Sequence, residues 1–203
     1  TPAIIGLLTL SLSFAVALFF MLPLLLTRLI DPHISSSLVS NLVEGGIRLV
    51  VFVAYLKIIG MMPSIRRVFS YHGAEHKTIN AYEAGVPLEP SEVQRYSTAH
   101  TRCGTSFLLA VMIIAILVFS LLGRPPLWIR MLSRVALLPV IAAIGYEAIR
   151  LGARFHKNRL VAALTTPGLA LQTLTTRQPA DDQVEVAVAA LKQGQIKRII
   201  LVR

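Results

Sequence analysis

The chain has 203 residues, 55% hydrophobic and only 15% charged, with a mean hydropathy of +0.68, whereas an ordinary soluble domain carries about 25% charge. Composition therefore excludes a conventional soluble domain and points to a polytopic membrane protein. The formal charge of +10 does not indicate nucleic acid, because the basic residues lie between and beside apolar blocks and form no stripe with interleaved aromatics. A single cysteine excludes an intramolecular disulfide framework and a Cys-only zinc site, so helix packing, with or without a mixed-ligand metal, must hold the fold.

Residues 3–26 form an uncharged apolar run, long enough to cross a hydrocarbon core that needs roughly 20 residues. It lacks a basic n-region and a small-residue cleavage site and reads as a span, not a signal peptide; the start at Thr1-Pro2 is compatible with a fragment. Pro23 is tolerable in a membrane helix, and Asp31-Pro32, followed by His33, ends the run. Residues 42–62 form a second span with Glu44, Arg48 and Lys57 inside it. Glu44 and Arg48 are four apart, so they pair on one helix face, which lowers their cost near lipid; packing glue or a snorkelling charge outweighs a functional role.

Pro63-Ser64 closes that block, and residues 65–103 are the only long polar segment. A connection of that length is functional or carries its own secondary structure. Its pattern predicts a helix over 65–84, stopped by Gly85, and a short helix over 91–98 ahead of His100. Residues 104–123 form an uncharged span, Arg124-Pro125-Pro126 a tight connection, and 127–151 a fourth span kinked by Pro139. Glu147 near its end either pairs with Arg150 or reaches the polar segment. From Gly152 the chain turns basic (Arg154, His156, Lys157, Arg159), and residues 160–174 are apolar but broken at Pro167-Gly168, the pattern of an interfacial or re-entrant piece. After Pro179, Asp181-Asp182 cap a soluble amphipathic helix to about residue 193, with Val184, Val188 and Leu191 on one face.

The predicted fold is all-α, a polytopic membrane protein with about four transmembrane helices and a helical polar segment between the second and third. Residues 1–62 hold helices 1 and 2, 63–103 the polar segment, 104–152 helices 3 and 4, and 153–203 the interfacial and soluble C-terminal helices. With four spans, the polar segment and the C-terminal part share a side. That side carries Arg66, Arg67, Lys77, Arg95, Arg102, Arg154, Lys157, Arg159, Arg177 and the Lys197-Arg198 tail, so the positive-inside tendency makes it cytoplasmic.

The chemistry concentrates in the polar segment. His72 and His76 are i and i+4 on the expected helix, so their imidazoles leave one face and can grip one cation. Glu75 lies beside them, and Glu83 falls one heptad after His76. The order His-x-x-Glu-His is that of the inverzincin peptidases, in which the histidines bind zinc and the glutamate activates water. Three of the five histidines and the only cysteine fall between positions 72 and 103, so His100 and Cys103 are candidates to complete the site. The metal-ligand candidates are thus His72, His76, Glu83, His100 and Cys103, with Glu75 as general base. Nitrogen and sulfur donors suit zinc; glutamate ligands would favour manganese or iron. The alternative is an amphipathic helix with a solvated His/Glu/Lys face and Cys103 as a small apolar residue. His33 and His156 lack neighbours at ligand spacing and read as interfacial or hydrogen-bonded. Gly73 and Gly104 read as places of close helix approach.

These residues carry a resemblance. The stretches Arg67-Val-Phe-Ser-Tyr-His-Gly-Ala-Glu-His-Lys77, Ala81-Tyr-Glu-Ala-Gly85, His100-Thr-Arg-Cys-Gly-Thr-Ser106, Gly145-Tyr-Glu-Ala-Ile-Arg150, Pro167-Gly-Leu and Leu174-Thr-Thr-Arg-Gln-Pro179 resemble the bacterial YqhQ-like family of polytopic membrane proteins. The resemblance runs from about residue 42 to 193. It implies a bacterial cell membrane and metal dependence, without a reaction. The glycine-rich segment with which that family begins is absent here, so the chain resembles a member truncated at its N-terminus.

Two functions follow as expectations. The first is a metal-dependent membrane enzyme, a hydrolase using a metal-activated water on a peptide or lipid-derived substrate at the membrane surface. The second is a non-enzymatic scaffold with a structural metal clip, binding membrane lipid and, through its C-terminal helix, a protein partner. A transporter component is a third, argued from Glu44, Arg48 and Glu147.

Overall fold

The computed structural model describes residues 2–155 and 158–201, with side chains through residue 194, and all regular structure among them is helical. His156, expected to be interfacial or hydrogen-bonded, and the neighbouring Lys157 lie outside the described residues. The elements are α1 (Pro2–Val16), a π-helical turn (Ala17–Met21), α2 (Leu22–Ile30), a 3-10 turn (Asp31–His33), α3 (Ser37–Ile59), α4 (Pro63–Glu83), α5 (Pro90–Val93), α6 (Gly104–Leu121), α7 (Leu127–Ala136), α8 (Leu138–Arg154), α9 (Arg159–Thr175) and α10 (Asp181–Leu201). They form two compact units, Thr1–Tyr55 with Phe107–Leu151, and Leu56–Ser106 with Gly152–Arg203. Two helical stretches are long and apolar enough to cross a membrane, Pro2–His33 and Gly104–Leu121, and α7 with α8 makes a third if the pair, bent by 45°, is one span. α3 is 23 residues long and carries Glu44, Arg48 and Lys57; it is not among those stretches.

In the first unit, Pro23 determines where a buried charge goes. A proline has no N–H for the carbonyl four residues back, so the helix widens into a π turn, with Leu22 N–H on Ala17 O. The freed Phe19 carbonyl accepts from Arg48 Nε at 2.9 Å. Arg48 also meets Glu44 at 2.7 Å, the pair expected from the i, i+4 spacing. The same carboxylate takes Arg130 at 3.0 Å and a two-pronged contact from Arg134 at 2.9 and 2.7 Å. Glu44, Arg48 and Arg134 are each 1% exposed. Asp31 extends the cluster through Arg130 at 2.9 Å, Arg124 at 3.5 Å and a short hydrogen bond from Ser40. The helix break falls at Leu137, just ahead of Pro139, which thus takes an early position in α8 where a missing N–H costs little. A small apolar core of Val111, Ala115, Phe119 and Ile141 lies against this cluster, with the Arg134 guanidinium 4.0 Å from the Phe119 ring centre. Glu147 pairs locally with Arg150 at 3.5 Å, both exposed.

The second unit is built on α4. Pro63 opens this helix as its first residue, where its missing N–H is harmless, and Gly85, at φ +74°, supplies the left-handed turn after its end. α10 and α5 pack on α4 through Ala74, Ala81, Val93, Val184 and Val188, as the spacing of Val184 and Val188 predicts. Four expectations need correction. The short helix after Pro90 ends at Val93 and not at residue 98, because the carbonyls beyond it bond to α4 side chains. The helix over 159–175 runs unbroken through Pro167, with Thr165 and Thr166 hydroxyls donating to the Val161 and Ala162 carbonyls. At the start of α10, Gln183 Oε1 accepts from Ala180 N–H at 3.0 Å, half of a capping box, while Asp181 accepts from Gln94. A Cβ on Gly104 would meet nothing within 4 Å, so no close helix approach depends on that glycine.

Replacing Glu44 by alanine leaves Arg48, Arg130 and Arg134 buried without their shared carboxylate, and is expected to cost about 3–5 kcal/mol. Thermal unfolding in detergent measures it, with the exposed Glu147→Gln expected to produce no resolvable shift.

Candidate metal centre

α4 carries the site because its polar face binds backbone that has no helical partner. The segment 94–99 has no regular ladder, so its carbonyls need donors from elsewhere. Lys77, 3% exposed, donates to Gln94 O at 2.7 Å and Tyr96 O at 2.6 Å. Asn80 Nδ2 donates to Ser97 O at 2.9 Å and Ala99 O at 3.0 Å. The ammonium of Lys77 has its pKa lowered by burial. From α9, the fully buried Gln172 clasps the backbone of His100, accepting from its N–H at 2.9 Å and donating to its carbonyl at 2.8 Å. Nothing in the pattern around Gln172 marked it as a site residue.

These straps set the two histidines. His76 Nδ1 lies 2.6 Å from Thr98 O, and His72 Nδ1 lies 2.8 Å from Thr175 O. A carbonyl only accepts, so each Nδ1 carries a proton, and Nε2 is the nitrogen of each ring that a metal could take in exchange for a proton. Metal-ligating histidines are fixed in this way by a carbonyl or carboxylate behind the ring. Gly73 makes the second contact possible. A Cβ there would overlap the Arg177 carbonyl oxygen, and Arg177 N–H bonds to Phe69 O at 2.9 Å, so the chain leaving α9 passes directly over α4.

Cys103 faces the histidines from the start of α6. Its Sγ is 3.4 Å from His72 Nε2 and accepts from Thr105 N–H at 3.3 Å. Burial pushes the thiol up, but hydrogen bonding to His72, His76 and Thr105 outweighs it and brings the pKa down to about 5. The same contact raises His72, chiefly through the Cys103 hydrogen bond and in small part through the charge of Glu75. The three donor atoms of His72, His76 and Cys103 lie within 4.8 Å of one another. Two ligands of one tetrahedral zinc, with bonds of about 2.0–2.1 Å to nitrogen and 2.3 Å to sulfur, stand about 3.5 Å apart, so the His72 to Cys103 separation already fits an ion between them.

The other candidates lie outside that group. His100 packs beside His76, ring centres 5.8 Å apart, but its Nδ1 accepts from Arg102 N–H at 3.3 Å. The proton of neutral His100 therefore sits on Nε2, which is buried, lacks a hydrogen-bond partner and lies 3.6 Å from Glu83. Burial lowers the His100 pKa. Glu83 forms a short ion pair with Arg102. Glu75 is exposed and lines a groove of about 340 Å³ between α4 and α10, with Tyr71, Ile79 and Val186 among its walls.

In metal-free protein, ultraviolet thiolate absorbance should titrate with a midpoint near 5 instead of the roughly 8.5 of a free cysteine. His72→Ala removes the principal favourable hydrogen bond and should move the midpoint up. An unshifted midpoint in that variant would contradict the pairing.

A family profile described as "Protein of unknown function (DUF1385)" matches residues 1–196. The chain is 39% identical over 191 residues to the Bacillus subtilis (strain 168) protein described as "Uncharacterized protein YqhQ", the alignment covering 94% of this chain and 59% of that protein. This chain thus spans less than two thirds of the length of that relative. No solved structure matches it. Since the profile runs through both compact units and takes in His72, His76 and Cys103, the chain belongs to the DUF1385 family of YqhQ-like proteins.

Proposed function

We propose that this protein holds zinc on His72, His76 and Cys103 and uses it in a hydrolytic reaction at the membrane surface. The observation that carries the reading is the pair of backbone carbonyls that hold both histidines by Nδ1 and so leave Nε2 as the ligand atom grouped with the Cys103 sulfur. Two imidazoles and a thiolate suit zinc better than manganese or iron, whose sites are richer in oxygen. Three protein donors leave a tetrahedral ion one open position, the pattern of catalytic sites. Zinc so held supplies a Lewis acid that makes water acidic enough to react near neutral pH. Glu75, exposed on the adjoining face of α4, is assigned the role of general base. Glu83, held beside His100 by Arg102, is the competing carboxylate.

In this reading α3 crosses as a fourth span, its Glu44 and Arg48 charges paired inside the first unit. The excess of basic residues then puts the metal centre and α10 on the cytoplasmic side of a bacterial membrane. The substrate is a peptide or a lipid-derived compound that reaches the site from the interface. The groove between α4 and α10 gives a protein partner a place to bind the C-terminal helix.

A second reading, a structural clip in a non-enzymatic scaffold, is favoured by one observation. His100 Nε2 is buried and unbonded, and a tautomer change with a ring shift toward His76 would make it a fourth ligand and close the site.

Metal analysis of the purified chain, with X-ray absorption, separates these outcomes. About one equivalent of zinc with a nitrogen-rich, single-sulfur shell is expected, lost in His72→Ala/His76→Ala. Absence of stoichiometric transition metal, or unchanged content in the double variant, would overturn the reading. A shell of one sulfur and three imidazoles, lost with His100→Ala, would select the clip. Against ester and amide substrates, Glu75→Gln should lower hydrolysis by about 100-fold or more with zinc retained, whereas that loss in Glu83→Gln alone would reassign the base.

A further inference from the structure

The first unit holds more buried positive charge than its carboxylates neutralise. Its acids are Asp31, Glu44 and Glu147, and Glu147 is exposed and paired with Arg150. Around Asp31 and Glu44 stand Arg48, Arg124, Arg130 and Arg134. Four guanidiniums against two carboxylates leave an excess of two positive charges. Arg124 is 27% exposed, so solvent screens it; the other three are at most 6% exposed and still outnumber the carboxylates. Arginine does not shed its proton to escape burial, and an uncompensated buried charge is strongly unfavourable.

The place of the deficit is visible. Arg130 lends one terminal nitrogen to Asp31 and the other to Glu44, but its Nε is buried without a hydrogen-bond partner. Asp31 carries Arg124 and Arg130 on one carboxylate, so the half-open side of the cluster is where these two meet. α7 has its charged side chains inward, Arg130 and Arg134 both buried, while Trp128, Leu132 and Val135 are 67%, 60% and 49% exposed. Such a helix suits a lipid boundary with tryptophan at the headgroup level, the depth at which phosphodiesters are concentrated.

We propose that the Arg124–Arg130 side of this cluster is an oxyanion site for a phosphoryl group, supplied by an anionic phospholipid headgroup or by free phosphate. The guanidinium fork matches phosphate oxygens, and each contact is a charge-assisted hydrogen bond. The site is separate in residues and in charge from the His72/His76/Cys103 centre, and it stands whether or not that centre is catalytic.

The full chain, purified without phosphate, is tested with two probes: radiolabelled inorganic phosphate by equilibrium dialysis, and reconstitution into phosphatidylcholine vesicles with or without phosphatidylglycerol, followed by measurement of lipid retained per chain. Saturable binding of either probe, weakened about tenfold or more by Arg124→Gln and by Arg130→Lys and unchanged by the exposed Arg95→Gln, is the expected result. Phosphate binding identifies a free oxyanion; selective retention of phosphatidylglycerol without phosphate binding identifies the lipid. If Arg130→Lys fails to fold, the wild type and Arg124→Gln carry the comparison. Wild-type protein that neither saturates with phosphate nor prefers phosphatidylglycerol, or equal losses in Arg124→Gln and Arg95→Gln, would overturn the site.

Discussion

The His72/His76/Cys103 cluster depends on hydrogen bonds between the side chains of one helix and carbonyls that no helix or sheet pairs. A backbone carbonyl left unsatisfied in the interior costs on the order of 1–3 kcal/mol, so the irregular segment 94–99 and the end of α9 must find donors. α4 supplies them from a row of residues spaced by helical turns, His72, His76, Lys77 and Asn80. One set of bonds thus performs two tasks. It ends the irregular backbone's search for partners, and it settles which nitrogen of each histidine is left for the cluster. Gly73 belongs to the same arrangement, since any larger residue would push the Arg177 backbone, and with it the Thr175 carbonyl, away from His72.

The first unit solves a different problem with a similar device. Pro23 breaks the hydrogen-bond ladder of an apolar helix, and the freed Phe19 carbonyl is taken by Arg48. That contact holds the guanidinium in the interior, where Glu44 gathers two further arginines from α7. In low dielectric the attraction is strong, but desolvation consumes much of it, so the cluster is better understood as specifying how α3 and α7 pair than as a large source of stability. The apolar outer face of α7 follows from the same arrangement, because its arginines are committed inward.

The second unit also illustrates how burial and hydrogen bonding together decide ionisation. Cys103 would be a neutral thiol if burial acted alone; neighbouring imidazoles and the Thr105 N–H reverse the sign. His100, a few residues away, has burial as its principal influence and no comparable compensation, and its pKa falls. Adjacent groups of the same polar segment are thereby separated into a ready anionic donor and a neutral ring.

The i, i+4 spacing of His72 and His76 places them on one face independently of any tertiary contact, because that geometry belongs to every α-helix. The Glu44–Arg48 pair, the apolar runs around residues 3–26 and 104–123, and the Val184/Val188 face were legible for the same reason: each is a short-range consequence of helical periodicity. What periodicity cannot carry is the path of irregular chain. His100 and Cys103 were equal candidates as ligands, and only the fold separates them, since Arg102 N–H occupies one nitrogen of His100 while the start of α6 turns Cys103 toward His72. The clasp of Gln172 on His100 spans 72 positions in the chain and the Arg134–Glu44 contact 90; no local pattern reports either. The sequence by itself determined the long periodic helices and the faces on which chemistry could be placed, but not the extent of the short helix after Pro90 or the continuity of α9 through Pro167. The tertiary structure decided which faces meet, because the carbonyls and charges that must be paired are brought together by loops whose course depends on those pairings.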